Sequence, residues 1–183
     1  MPVRSFHKAV CELMINDYAR RGFVDARCLR LPVVVVRPGA PNAALTGAWS
    51  TVVREPLNGM DTIIPVPMDV RLPVASYQTV VAGLATILDD IDGEDLGADR
   101  SMMLPSLSLS CAELHTAAVE LAAKHGKPCG VARAKAQEVA TRIVSRMGER
   151  SDGSRAMGLG LPRDESAESI VRMYACLLYT SDA

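Results

Sequence analysis

Aromatic side chains are scarce in this sequence: one Trp, four Tyr and two Phe make up 4% of 183 residues. So few rings provide few stacking platforms for bases, and the core has to be assembled from Val, Leu, Ile, Ala and Met. An excess of one charge is also lacking. Twenty basic residues face twenty-one acidic ones, for a net charge of -1, and no long basic run occurs. The electrostatic footprint of a nucleic-acid binder is therefore missing, and no nucleic-acid partner is expected. The five cysteines, Cys11, Cys28, Cys111, Cys129 and Cys176, are an odd number at wide spacings without a C-x-x-C, and the three histidines lie far apart. Neither a metal site nor a disulfide framework follows from that pattern. The longest stretch without charge, from Leu72 to Leu88, contains Ser76, Tyr77, Gln78, Thr79 and Thr86. It is too short and too polar to cross a bilayer, and no signal peptide precedes it, so no membrane partner and a reducing, cytoplasmic setting are expected.

What is present is ordinary globular material, 49% hydrophobic and 22% charged. Its organising stretch runs from Ala26 to Asn42. Val33, Val34, Val35 and Val36 leave neither face of a strand polar, which marks a strand covered on both sides within a parallel sheet. The run ends at Arg37-Pro38-Gly39-Ala40-Pro41-Asn42, where two prolines withhold donors and a glycine frees the backbone, so the chain leaves the sheet as a shaped loop. In open α/β sheets, ligands bind beyond the carboxyl ends of strands, which makes this loop either a site or an ordinary strand exit.

Around that stretch the periodicity predicts a mostly buried helix from Ser5 to Arg21, with Glu12, Asn16 and Arg20 on a polar sector. Lys8 falls at the edge of its apolar arc, where the alternatives are a functional cation and a snorkelling stem. A short helix from Gly47 to Leu57 turns Trp49, Val52 and Val53 inward and is broken by Pro56; Arg54 closes it. Prolines confine extended pieces at residues 60–66 and 70–75 to edges or bends. Ser76 caps a helix through Val80, Leu84, Ile87, Leu88 and Ile91, and an acidic loop leads to a strand at residues 101–104 that extends the sheet. Ser110-Cys111-Ala112-Glu113 is a capping box, with Leu109 and Leu114 placed for a hydrophobic staple, so a helix starts at Cys111. A further helix spans residues 133–147 through Val139, Ile143 and Met147, residues 149–155 form a polar turn, and a last helix carries Ile170 and Tyr174.

Three stretches stand out together: Lys8-Ala9-Val10-Cys11-Glu12, Leu29-Arg30-Leu31-Pro32-x-Val34-Val35-Val36-Arg37-Pro38-Gly39-x-Pro41-Asn42 and Arg54-Glu55-Pro56-Leu57-Asn58-Gly59. They resemble the extended short-chain dehydrogenases, the NAD-dependent epimerase/dehydratase family, and within it the branch acting on D-erythronate. The stretch Met157-Gly158-Leu159-Gly160-Leu161-Pro162-x-Asp164-x-Ser166 resembles that branch's closing segment. The resemblance implies an α/β fold, the C-terminal half of such an enzyme: the end of a Rossmann parallel sheet plus a mostly helical substrate domain. It divides the chain into residues 1–45 (end of the NAD-binding domain), 46–75 (substrate-domain insertion), 76–105 (helix and strand returning to the sheet) and 106–175 (substrate domain). Residues 176–183 resemble translated sequencing-adapter read-through and are set aside as a non-native tail.

In that family a Y-x-x-x-K pair carries the chemistry. A phenol near pKa 10 is a poor base at neutral pH unless a fixed cation favours its anion, and a spacing of four puts both groups on one helical face. Lys8 matches the lysine, implying catalytic and ribose-holding roles, but Arg4 stands where the tyrosine belongs. Pro38 and Gly39 are implied to shape the cofactor wall, Asn42 to offer an amide to substrate hydroxyls and Arg54 to fork a substrate carboxylate, with pairing to Glu55 as Arg54's alternative. The glycine-rich dinucleotide turn has no counterpart here. The implied parent oxidises a secondary hydroxyl of a small sugar acid with NAD as cofactor and dimerises through the helix from Ser5 to Arg21. Nucleotide-sugar epimerisation and a non-catalytic binding scaffold are the alternatives. The chain by itself is expected to be inactive and, with an exposed valine-rich strand edge, prone to associate.

Overall fold

A computed structural model describes residues 3–37 and 44–180. In chain order it has α1 (Val3–Arg20), β1 (Cys28–Arg30), β2 (Val33–Val35), a 3₁₀ turn (Leu45–Gly47), α2 (Ala48–Leu57), β3 (Thr62–Ile64), β4 (Arg71–Ser76), α3 (Tyr77–Asp89), a second 3₁₀ turn (Gly93–Leu96), β5 (Ser101–Met103), β6 (Leu107–Ser110), α4 (Cys111–Lys124), β7 (Ala132–Ala134), α5 (Glu138–Val144), α6 (Ser154–Gly158) and α7 (Ala167–Thr180). The expected α/β architecture with parallel pairing is present. β1 pairs in parallel with β5, β2 in parallel with β4, and β3 in parallel with β7, while β6 lies antiparallel to β4.

The organising strand is two strands, not one. Leu31-Pro32 interrupts it, because Pro32 has no N–H for the ladder, and the two halves take different neighbours: Leu29 faces Met102 and Val34 faces Ala75. Val35 and Val36 are fully buried, whereas Val33 and Val34 are half-buried, and β2 ends its three-stranded sheet, with β4 on one side. β4, expected at an edge, is instead the central strand. It tolerates Pro73 because its two halves divide the work. Residues 71–74 pair with β6 and residues 74–76 with β2, so Pro73 faces only Ser108, whose carbonyl accepts from the Arg71 guanidinium.

The core divides into two buried clusters. One gathers α2, α4 and α7 around Trp49, Val52, Leu72, Leu114 and Ile170; the other gathers α3 and β5 around Val80, Ile87, Met102 and Leu104. Trp49 donates its indole N–H to the Leu109 carbonyl at 2.9 Å, which locks α2 to β6. The capping box forms as expected, and both staple leucines are buried. Ser76 caps α3, and buried Asp164 accepts from the Ser76 N–H, the Ser76 hydroxyl and the Thr79 hydroxyl at 2.7–2.8 Å.

Helix α1 forms, but its orientation is the reverse of the expected one. Phe6, Leu13, Met14 and Tyr18 are exposed, Phe6 at 61% and Leu13 at 69%, and of the residues from Phe6 to Arg20 only Ala19 is buried. The polar sector faces the protein: Glu12 receives both forks of Arg30 on β1, and Asn16 Oδ1 accepts the Arg100 N–H at 2.9 Å. The helix expected at residues 133–147 starts later. Residues 132–134 are β7, and α5 buries Ala140 and Val144, leaving Val139 and Ile143 outside. The strand is admitted by Gly130, where a Cβ would come within 2.1 Å of the Met60 carbonyl oxygen. Strand β6 and helix α6 were not anticipated.

Pro56 does not break α2; the helix continues to Leu57. A proline in a helix removes the donor for the carbonyl four residues earlier, here that of Val52. His115 on α4 supplies it: Nδ1 lies 3.2 Å from the Val52 oxygen, while the Ala132 N–H donates to Nε2 at 3.4 Å. Because a backbone N–H only donates, Nε2 is the acceptor in this arrangement and Nδ1 the donor to the Val52 carbonyl.

Candidate active site

The site is assembled where β2 ends. Arg37 follows the strand, Pro38, Gly39 and Asn42 lie outside the described residues, and the chain resumes at Ala44 before the turn that feeds α2. The apolar Trp49, Val52 and Val53 bury one face of α2 and thereby fix where the rest of the helix points. Arg54, buried with only 9% of its side chain exposed, donates from Nε and Nη2 to Glu55 Oε1 at 2.9 and 2.7 Å, and from Nη1 to the Arg37 carbonyl at 3.4 Å. The alternative of a Glu55 partner is thus what the structure shows, together with a bond that ties α2 to the exit of β2. Asn58 Nδ2 donates to the Arg54 carbonyl at 2.7 Å.

The Tyr174 phenol closes this group from α7. Burial pushes its pKa upward, against the opposing pull of an Asn58 hydrogen bond and the Arg54 charge. Lys8 sits elsewhere, exposed on α1, one turn before Glu12. The hydrogen bond from Arg30, with a smaller pull from the Lys8 charge, holds the Glu12 carboxyl below the usual range. Among the described residues no hydrogen bond or ion pair engages Lys8 or links it to the Arg54 group. The structure thus brings together Arg54, Glu55, Asn58 and Tyr174. Glu55 was legible only as Arg54's neighbour, and nothing in the sequence pointed to Tyr174, which reads as a core position of an amphipathic helix.

Beside this group a cavity of about 410 Å³ opens between the start of α2 and β3, lined among others by Leu45, Ala48, Thr51, Glu55, Thr62 and Ile64. A larger groove of about 940 Å³ runs along α4 past Arg71, Glu113 and Arg163 and contains none of the expected site residues. Among the described residues no cluster of His, Cys, Asp and Glu could hold a metal ion, and no helix is long and apolar enough to cross a membrane.

With the geometry established, the chain was compared with known proteins. It is 37% identical over 170 residues to a D-erythronate dehydrogenase of Cupriavidus necator and 33% identical over 167 residues to one of Haemophilus influenzae, each match covering 91% of this chain. Among solved structures it superposes on a nucleoside-diphosphate-sugar epimerase from Agrobacterium tumefaciens with a TM-score of 0.85 at 34% identity, over 95% of this chain and 51% of that one. The chain belongs to the extended short-chain dehydrogenase family. A GalE-like L-threonine dehydrogenase from Cupriavidus necator shares the fold, with a TM-score of 0.78 at 16% identity over 91% of this chain and 52% of that one. No protein-family model matches the chain. The chain spans about half the length of the curated short-chain dehydrogenase relatives that it matches, 51% and 52%.

Proposed function

We propose that this chain is the C-terminal half of a dehydrogenase whose parent oxidises a secondary hydroxyl of a small sugar acid such as D-erythronate, NAD supplying the hydride acceptor when bound. The observation that carries this reading is the 37% and 33% identity to proteins named D-erythronate dehydrogenase over 91% of the chain. In this reading Lys8 holds the ribose of the nicotinamide and lowers the pKa of a phenol, and its exposed ammonium, which among the described residues makes no hydrogen bond, is compatible with that use. Pro38 and Gly39, assigned to the cofactor wall, and Asn42, assigned to substrate hydroxyls, lie outside the described residues. Arg54 serves the substrate's carboxylate end, and its bond to the Arg37 carbonyl supports a second duty, holding the strand exit in place. The proton-transfer tyrosine is replaced by Arg4, so these 183 residues are proposed to be inactive on their own.

The domain division is supported by α3 and β5 sharing one buried cluster and α2, α4 and α7 another, while Val35 and Val36 of the first segment join the latter and Ala156 and Leu161 of the last join the former. A homodimer through α1 belongs to the same reading and is supported by the outward Phe6, Leu13 and Met14. A cytoplasmic setting is proposed with it. Nucleotide-sugar epimerisation is the second reading, favoured by the 34% identity to the Agrobacterium epimerase. The test is a parent restored by extending the reading frame upstream and carrying Arg4→Tyr. D-erythronate-dependent accumulation of NADH, abolished by Arg54→Ala, is expected; isomerised nucleotide sugar without net NADH would overturn the dehydrogenase reading in favour of the epimerase.

A further inference from the structure

The cavity between α2 and β3 carries an unusual set of unused groups. Glu55 spends only Oε1 on Arg54, so Oε2 of a side chain just 13% exposed has no described partner. Thr51 lies one turn earlier on the same helix face, and Thr62 stands across the gap on β3; neither hydroxyl is engaged by a described residue. The remaining walls, Leu45, Ala48 and Ile64 among them, are apolar, and Glu55 is the one charged residue among those lining the cavity. Two hydroxyls that both donate and accept, beside one carboxylate oxygen that only accepts, match neutral hydroxyl groups and repel phosphate or carboxylate.

Building on the sugar-acid reading, we propose that this cavity is the subsite for the polyol end of the substrate, with Glu55, Thr51 and Thr62 determining specificity for hydroxyls and against a nucleotide diphosphate. In this pose the substrate's hydroxyls meet Thr51, Thr62 and Glu55 Oε2, whereas a diphosphate is repelled by the Glu55 carboxylate. About 410 Å³ readily holds a four-carbon polyol.

The test is amide chemical-shift mapping of the 183-residue chain with erythritol, D-erythronate and UDP as separate probes. Saturable shifts confined to residues 44–48, 51–55 and 62–65 are expected with erythritol and D-erythronate and not with UDP. Thr51→Val and Thr62→Val, which keep the side-chain shape, are each expected to weaken erythritol binding by about 2- to 10-fold, the loss of one neutral hydrogen bond, while the remaining spectrum is unchanged. UDP shifting these amides, shifts elsewhere only, or no shift with any probe would overturn the subsite. Failure of the restored parent to oxidise D-erythronate, with erythritol shifts intact, would sink the proposed function and leave the subsite standing.

Discussion

Replacing His115 by Ala tests the claim that an imidazole completes helix α2. In the folded chain the Val52 carbonyl lacks its helical donor because residue 56 is proline, and the His115 Nδ1–H stands in at 3.2 Å. Val52 is fully buried, so removing the ring takes away the side-chain donor that serves its carbonyl. An orphaned buried acceptor costs about 1–3 kcal/mol. The ring volume adds a cavity term, which a double-mutant cycle removes. Pro56→Ala returns a backbone N–H four residues after Val52, so in that background the carbonyl is served by the helix and His115 becomes partly redundant. Urea unfolding of the parent chain, both single variants and the double variant is expected to show His115→Ala costing about 1–2 kcal/mol less when Pro56 is Ala. Costs that add to within about 0.5 kcal/mol would refute the idea that the two residues serve one acceptor.

Three further outcomes follow from the same geometry. Burial pulls the Glu113 pKa upward, but the Ser110 N–H, the Ser110 hydroxyl and Arg71 outweigh it and hold the carboxyl below its usual value; its contribution is therefore present above the unfolded glutamate pKa and lost as pH falls through the folded one, and Glu113→Gln should flatten the acid limb of a stability-versus-pH curve. Removing the cap from the other side, Ser110→Ala is expected to cost about 1 kcal/mol by thermal unfolding, and an unchanged midpoint would count against the capping box. Burial pushes the Cys111 thiol well above its ordinary pKa, whereas Cys11 and Cys176 are exposed, so a thiol reagent should modify the latter two in the native chain and Cys111 only after denaturation.

The elements that were legible in the sequence are those whose signal is local. The capping box at Ser110, the Ser76 cap and the Trp49-Val52-Val53 face each depend on residues within one or two turns, and each formed where expected. What escaped depends on distant partners. Strand β7 exists because Gly130 lets the backbone approach Met60 and because β3 offers a free ladder, neither of which a period in residues 133–147 can display. Pro56 reads as a helix breaker until His115, 59 positions later in the sequence, is known to replace the missing donor.

Helix α1 shows a subtler limit, because an amphipathic period locates a stripe and does not say which stripe faces inward. On hydrophobic grounds its apolar residues read as the buried side, yet two polar residues, Glu12 and Asn16, make the contacts to β1 and to the backbone at Arg100. A fork to Arg30 and a bond to a backbone N–H are directional, so they orient the helix even where little apolar area is covered. The same distinction governs the site. Arg54 was legible as a cation on α2, but whether its donors face a ligand or a neighbour is decided by Glu55 and the Arg37 carbonyl, which use three of its five N–H groups. The unused acceptor this leaves on Glu55, beside the Thr51 and Thr62 hydroxyls, is a property of the folded pair and could not be read from either residue alone.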